Sequence, residues 1–255
     1  MSNVTVVTGA SGGIGEELAY CAAKAGRKVV LVARSADKMK AVANKIVALG
    51  APAPEIIALD LGDPSSGEAL AHALKQKNLK VFELVNNAGY GLTGPIEKLD
   101  AADQVGMVDL NMRALTDLTL RFLPEILESK GGVMNVASTA AFQPGPNMAI
   151  YYATKAYVLS FSEAIWFELR GHARVTALCP GPVPTGFQDR ATKGKGLWLA
   201  KYSTTSAAFV ASRGWERFQR GQRVVIPGVL NEISAMFAPL TPKPLVLWIA
   251  NKLSR

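Results

Sequence analysis

The chain has 255 residues, 49% hydrophobic and 19% charged, with a net charge of +8 and two cysteines. That composition buries enough apolar surface to offset chain entropy and excludes a disordered polypeptide, while two cysteines cannot build a disulfide scaffold. No apolar run reaches the roughly 18–20 residues of a membrane-crossing helix, and the length suits one domain.

The first predicted element is a strand over Val4–Thr8, entered directly from Met-Ser-Asn without a basic, apolar leader. That start reads as a cytoplasmic protein. The strand runs into Thr8-Gly9-Ala10-Ser11-Gly12-Gly13-Ile14-Gly15 and then a helix over Glu16–Ala25. Glycines at such a turn let the backbone approach a diphosphate, and the helix N-terminus offers it free N–H groups. Gly9, Gly13 and Gly15 give T-G-x-x-x-G-x-G, whereas Gly9, Gly12 and Gly15 give G-x-x-G-x-x-G, and the turn alone does not separate the two.

A second strand over Lys28–Ala33 ends at Arg34 and Ser35, ahead of a helix over Ser35–Leu49. In a dinucleotide-binding fold this strand end faces the adenosine ribose. A carboxylate there repels a 2′-phosphate, whereas a guanidinium attracts one. Arg34 therefore favours NADP over NAD, the alternative being an ordinary surface arginine. Strands over Glu55–Leu59, Val81–Asn86, Gly132–Ala137, Arg174–Cys179 and Arg223–Ile226 alternate with helical stretches over Gly67–Lys77, Ala101–Leu127, Tyr151–Leu169 and Ser206–Arg217. Short, continuously apolar strands alternating with helices predict an α/β fold, a doubly wound parallel sheet with helices on both faces. Such sheets bind ligands along the edge where the strands end.

Tyr151 and Lys155 stand four apart at the head of a helix, so they share one face. A nearby ammonium lowers a phenol's pKa toward neutrality. Ser138 follows the strand over Gly132–Ala137 and can project from its end. The two histidines, His72 and His172, lie at no predicted strand end, which argues against a serine nucleophile. By itself Tyr-x-x-x-Lys also suits an ordinary amphipathic helix.

The set taken together resembles the short-chain dehydrogenase/reductase family, in its single-domain branch of about 250 residues. The residues that carry the likeness are Thr8-Gly9-x-x-x-Gly13-x-Gly15, Asp60-Leu61, Asn86-Asn87-Ala88-Gly89, Asn111, Ser138, Tyr151-x-x-x-Lys155 and Pro180-Gly181. The resemblance implies a Rossmann-type, seven-stranded sheet and an NADP-dependent oxidoreductase acting on a carbonyl or secondary alcohol. It implies that Tyr151 is the general acid and base, that Ser138 orients the substrate oxygen, that Lys155 holds the nicotinamide ribose, and that Asn111 binds a water linking Lys155 to solvent. It also implies a cofactor cleft formed by Gly9, Ser11, Gly12, Gly13, Ile14, Gly15, Arg34, Ser35, Asp60, Leu61, Asn87, Ala88, Gly89, Tyr151, Lys155, Pro180, Gly181, Val183 and Thr185. Asp60 would contact the adenine amino group. Phe142 and Phe187 join Ser138 and Tyr151 as substrate contacts, with Leu92, Met148 and Trp198 as further candidates for an apolar pocket wall. No metal site is expected.

The Pro- and Gly-rich stretch after Pro180 reads as a substrate loop over 186–205, and the final 229–255 as an apolar and basic tail on a single domain spanning 1–255. Residues 1–185 carry 17 basic and 17 acidic side chains, whereas residues 186–255 carry 11 and 3, the whole excess. A basic quarter can attract anionic lipid or nucleic acid, but no nucleic-acid motif accompanies it, and none is expected as a partner. Contact of the tail with a membrane surface is one reading, a solvated surface the other. The long helices over Ala101–Leu127 and Tyr151–Leu169, apolar on more than one face, suggest a homodimer or homotetramer. A second function class stays open, an NADP-binding sensor or scaffold without turnover. So does a sugar epimerase or dehydratase, although the seventy or so residues after Thr185 leave little room for a substrate domain.

Overall fold

The protein is described by a computed structural model over residues 1–186 and 205–253. Phe187, Trp198 and nearly all of the expected loop over 186–205 lie outside the described residues.

A strand forms at each predicted apolar run, buried on both faces in the centre of the sheet and only partly at its edges: β1 (Ser2–Thr8), β2 (Val29–Ala33), β3 (Glu55–Ala58), β4 (Leu79–Asn86), β5 (Gly132–Val136), β6 (Arg174–Leu178) and β7 (Val224–Val225). They form one parallel sheet in the order β3-β2-β1-β4-β5-β6-β7. Successive side chains alternate between two cores. Val7, Leu31 and Val85 face α1 (Gly13–Lys24), α2 (Ala36–Ala48) and α7 (Ala207–Gln219), whose Leu18, Met39, Ile46 and Phe218 complete that layer. Val6, Val30 and Leu84 face α3 (Ser66–Gln76) and α5 (Leu115–Glu128), with Leu70, Leu118 and Ile126 opposite. The helix α6 (Ala149–Glu168) covers β5 and β6 through Val158 and Leu159. This is the expected doubly wound sheet, built because period-2 runs buried on both faces need a helical layer on each side.

The direction of winding reverses between β1 and β4, which opens a crevice beyond their C-terminal ends. The loops after β1, β2, β4, β5 and β6 all arrive at that edge, and so do the sequence-predicted functional residues.

Two elements differ from the expectation. The helix predicted over Ala101–Leu127 is α4 (Ala101–Val108), a wide π turn over Asp109–Ala114, and α5. Such a turn inserts an extra residue into the helical ladder and is common where a side chain must be aimed. Here it carries the buried Asn111. The tail, which strand–helix alternation does not explain, folds as α8 (Val229–Phe237), a single 3-10 turn over Ala238–Leu240 and α9 (Lys243–Leu253). No helix among the described residues is long and apolar enough to cross a membrane.

Candidate active site

The glycine-rich turn is welded to the end of β4. The Thr8 hydroxyl accepts from the backbone N–H of Asn87 at 2.9 Å and of Ala88 at 3.0 Å. The Asn87 side-chain amide donates to the Thr8 carbonyl at 2.9 Å and the Gly9 carbonyl at 3.3 Å. Gly9 has φ +65°, and a side chain there would strike Asn87 and Ala88. Gly13 has φ +59° and faces the Thr185 side chain, while a Cβ at Gly15 would run into the Gly9 carbonyl. Gly12 is different, because a Cβ there meets open space. The turn thus needs Gly9, Gly13 and Gly15 for its own geometry, which resolves the spacing that the sequence left open.

Helix α1 begins at Gly13, and no side chain caps its first amides. Such N–H groups lack intrahelical partners, and with the dipole's positive end they form an anion site. Ser11 is half-buried in the turn and Ile14 packs against the core.

Arg34 stands at the end of β2, its guanidinium mostly exposed and 3.9 Å from the Asp60 carboxylate. Asp60 also accepts from the Gly62 N–H at 3.0 Å. Ser35 caps α2, its hydroxyl accepting from the Lys38 N–H. Leu61 is a core residue: its side chain is buried, and its carbonyl accepts from Ser66 and Arg113. Val183 is likewise buried in the core beneath the turn.

The end of β5 delivers Ser138, which caps a short 3-10 turn over Thr139–Phe142 and whose hydroxyl accepts from the Ala140 N–H at 3.1 Å. Tyr151 lies on the first turn of α6, with its hydroxyl beside that of Ser138. Burial pushes the phenol up to about 12, against the downward pull of the Ser138 hydroxyl. One turn on, Lys155 donates to the Val136 carbonyl at 2.7 Å, and its nitrogen sits 5.9 Å from the Tyr151 ring centre. Burial holds this ammonium down at about 8. The sequence expectation of a phenol already drawn toward neutrality differs from this arrangement. Desolvation favours the neutral form of both groups, and the ammonium points to a backbone carbonyl.

Asn111 is held from three sides. Its amide donates to the Tyr90 carbonyl at 2.9 Å and to the Thr154 hydroxyl at 3.1 Å, and its oxygen accepts from the Tyr90 N–H at 3.1 Å. A Cβ at Gly89 would lie 2.9 Å from the Asn111 oxygen and 3.7 Å from the Lys155 nitrogen, so Gly89 is the close junction between them. Pro180 joins the cluster through its carbonyl, which accepts from the Thr139 N–H at 2.8 Å. Gly181 lies flush against Asn231 of α8, whose amide donates to the Pro227 carbonyl at 2.8 Å.

A cavity of about 310 Å³ opens against Tyr151. Leu92, Leu99, Met107, Met148 and Ile150 give it an apolar wall. The sequence-predicted wall residues Leu92 and Met148 are there, but Phe142 packs with the core under α6 instead. Sequence reasoning missed Met107, Tyr90, Thr154 and Asn231. Asn231 carried one signal, its place shortly after the last strand, on the edge where the functional loops collect.

A family model for short chain dehydrogenases matches residues 3–196. Serine 3-dehydrogenase of Agrobacterium fabrum (strain C58 / ATCC 33970) is 34% identical over 189 residues, covering 73% of this chain and 74% of that protein. Longer plant relatives are matched over as little as 50% of their own length. Among solved structures, a short chain dehydrogenase/reductase from Burkholderia phymatum in complex with NAD superposes with a TM-score of 0.83 at 26% identity, covering 92% of each chain. A short-chain dehydrogenase from Sphingobium yanoikuyae in complex with NADPH gives 0.81 at 29% identity, again covering 92% of each.

Proposed function

This chain belongs to the short-chain dehydrogenase/reductase family, and from that premise we propose that it is an NADP-preferring oxidoreductase interconverting a carbonyl and a secondary alcohol, with Tyr151 carrying the proton. The coarser statement needs no proposal: it is an oxidoreductase of this family using NAD or NADP on a CH–OH group. The observation that carries the finer reading is the meeting of the Ser138 and Tyr151 hydroxyls at the strand edge, with Lys155 one helical turn behind.

The crevice suits a dinucleotide. Uncapped amides of α1, an open approach at Gly12 and the cationic Arg34 at the end of β2 match diphosphate and 2′-phosphate chemistry. When bound, the nicotinamide ring supplies or accepts the hydride. Ser138 and Tyr151 donate hydrogen bonds to the substrate oxygen where negative charge develops. Tyr151 then gives up its proton in reduction or takes one in oxidation. Lys155, within reach of the crevice and bonded to the Val136 carbonyl, would hold the ribose hydroxyls of a bound dinucleotide and stabilise the phenolate. Asn111, anchored to Tyr90 and Thr154, stands beside Lys155 as the station for a proton-relaying water. Leu92, Met107 and Met148 shed water from the reacting centre and favour a moderately apolar substrate.

The test is a panel of ketones, aldehydes and secondary alcohols followed at the NADPH absorbance band, with NADH in parallel. Turnover of an apolar ketone with NADPH preferred supports the reading. NADPH binding without turnover of any member would instead favour a sensor or scaffold.

A further inference from the structure

Helix α8 presents its apolar side chains on the side that should meet water. Its inward face is Asn231 and Ala235: Asn231 abuts Gly181, and Ala235 is buried. At 100° per residue, Val229, Ile233 and Met236 fall opposite that face, with Leu230 and Phe237 flanking them, and Leu240 follows in the 3-10 turn. Leu230 is 80% exposed, Leu240 75% and Val229 72%. A solvated surface helix carries polar side chains there. Helix α9 continues the feature. Val246 and Ala250 point inward, while Trp248 is 62% exposed with the Lys252 ammonium 5.4 Å from its ring centre. Of nineteen large apolar side chains exposed among the described residues, ten lie between Val229 and Ile249. A contiguous apolar surface of this kind marks an interaction site.

We propose that α8 and α9 lie flat on an anionic bilayer surface, with the outward stripe of α8 among the acyl chains and Lys243 and Lys252 at the headgroups. Three observations favour lipid over a second copy of the chain. The two helices carry one acidic residue, the exposed Glu232 in the first turn of α8, against Lys243 and Lys252, with Arg255 following. A second copy would bring its own Lys243 and Lys252 with a single carboxylate, Glu232, to the contact, whereas anionic headgroups neutralise the excess. The pairing of an exposed tryptophan with a lysine fits the boundary between hydrocarbon and water, where the ring is amphipathic and the ammonium reaches outward. Both helices are too short to span the bilayer, so an apolar face on a basic element is served by lying in its surface.

The two helices are held in register with the site. The Asn147 amide donates to Asn251 of α9 at 3.0 Å, and Pro146, Asn147 and Met148 line the cavity beside Tyr151. The surface contact does not depend on the catalytic reading. A substrate arriving from the lipid phase would depend on both.

The experiment is flotation of the full chain with vesicles of phosphatidylcholine alone and of phosphatidylcholine with one third phosphatidylglycerol. The bound fraction is expected to be at least tenfold higher on the anionic vesicles and to fall with salt. Combining Leu230→Glu, Ile233→Glu and Phe237→Glu is expected to lower it at least tenfold with an unchanged circular dichroism spectrum. Combining Lys243→Glu and Lys252→Glu, which leaves the apolar stripe intact, is expected to lower it several-fold and serves if the first variant misfolds. A wild-type chain that stays unbound on anionic vesicles at low salt overturns the proposal. So does binding that survives the triple substitution. A triple variant that converts a free dimer to a monomer, from a parent that binds no vesicles, assigns the stripe to a second copy instead.

Discussion

Where the strands begin, Glu83 is completely buried and answered from every side. Its carboxylate accepts from the Thr5 hydroxyl at 2.7 Å, from Arg174 at 2.9 Å, from the Gln219 amide at 3.0 Å and from Arg27 at 3.2 Å. Where the strands end, Lys155 is just as buried, yet its hydrogen bond among the described residues goes to one uncharged carbonyl. The first charge is structural, because its desolvation is offset by four partners and it ties β4 to β1, β6 and α7. The second is under-answered and its pKa is displaced, the condition under which a group responds to whatever binds beside it. One sheet therefore keeps a finished ion cluster at one edge and an unfinished one at the other.

The sharpest way to break this contrast is at the unfinished end. Tyr151→Phe removes the proton carrier and keeps the ring, so turnover is expected to fall by about 10²–10⁴-fold with NADPH affinity nearly unchanged. Stopped-flow turnover beside a fluorescence titration measures the two separately, and an active variant would pass the role to another acid. At the finished end, Glu83→Gln leaves two arginines facing a neutral amide. Both are partly exposed and can rehydrate, so the loss is expected at about 2–3 kcal/mol, below the range for a fully buried pair. A lowered urea midpoint with normal kcat per folded molecule is the expected result, and a fall in kcat without loss of stability would reverse the assignment.

A smaller effect is expected at Arg34. Its ion pair with Asp60 is exposed and contributes little to stability, so Arg34→Ala should leave the melting temperature alone. It should raise the KM for NADPH about tenfold and leave that for NADH unchanged. Equal changes for both would mean that Arg34 does not meet the 2′-phosphate.

The mildest test is pH. Free Lys155 loses its proton near pH 8 because burial disfavours the ammonium. An anionic cofactor restores the charged form, so binding takes up a proton above that pH. NADPH affinity is then expected to weaken about fivefold as pH rises from 8 to 9. Calorimetry at pH 9 in buffers of different ionisation enthalpy reads that proton directly, and a Lys155→Met variant should lose the dependence.

The strands, and most helices to within a few residues, were legible because burial on one or two faces imprints a period on the chain. The roles of Ser138, Asn111 and Lys155 beside Tyr151 were legible only through their resemblance to a family pattern, since Tyr-x-x-x-Lys alone also fits a plain amphipathic helix, and Met107, Tyr90 and Thr154 were not legible at all. The helix over Ala101–Leu127 shows where periodicity stops. Its apolar spacing continues through Asp109–Ala114, and the π turn there coincides with bonds between Asn111 and the distant Tyr90 and Thr154. Phe142 illustrates a related limit: hydrophobicity says that a ring packs, and only the fold shows that it lies partly buried beneath α6.

The sequence by itself determined the alternation of strand and helix, the glycine turn, the cationic end of β2 and the four-residue spacing of Tyr151 and Lys155, because each is a matter of neighbours along the chain. Only the tertiary structure decided that Gly13 rather than Gly12 is required by the turn, that Lys155 rests on the Val136 carbonyl, that Asn231 closes on Gly181, and that the stripe of α8 faces outward. Those outcomes depend on which distant atoms come within a few ångströms of one another, and local spacing carries no record of that distance.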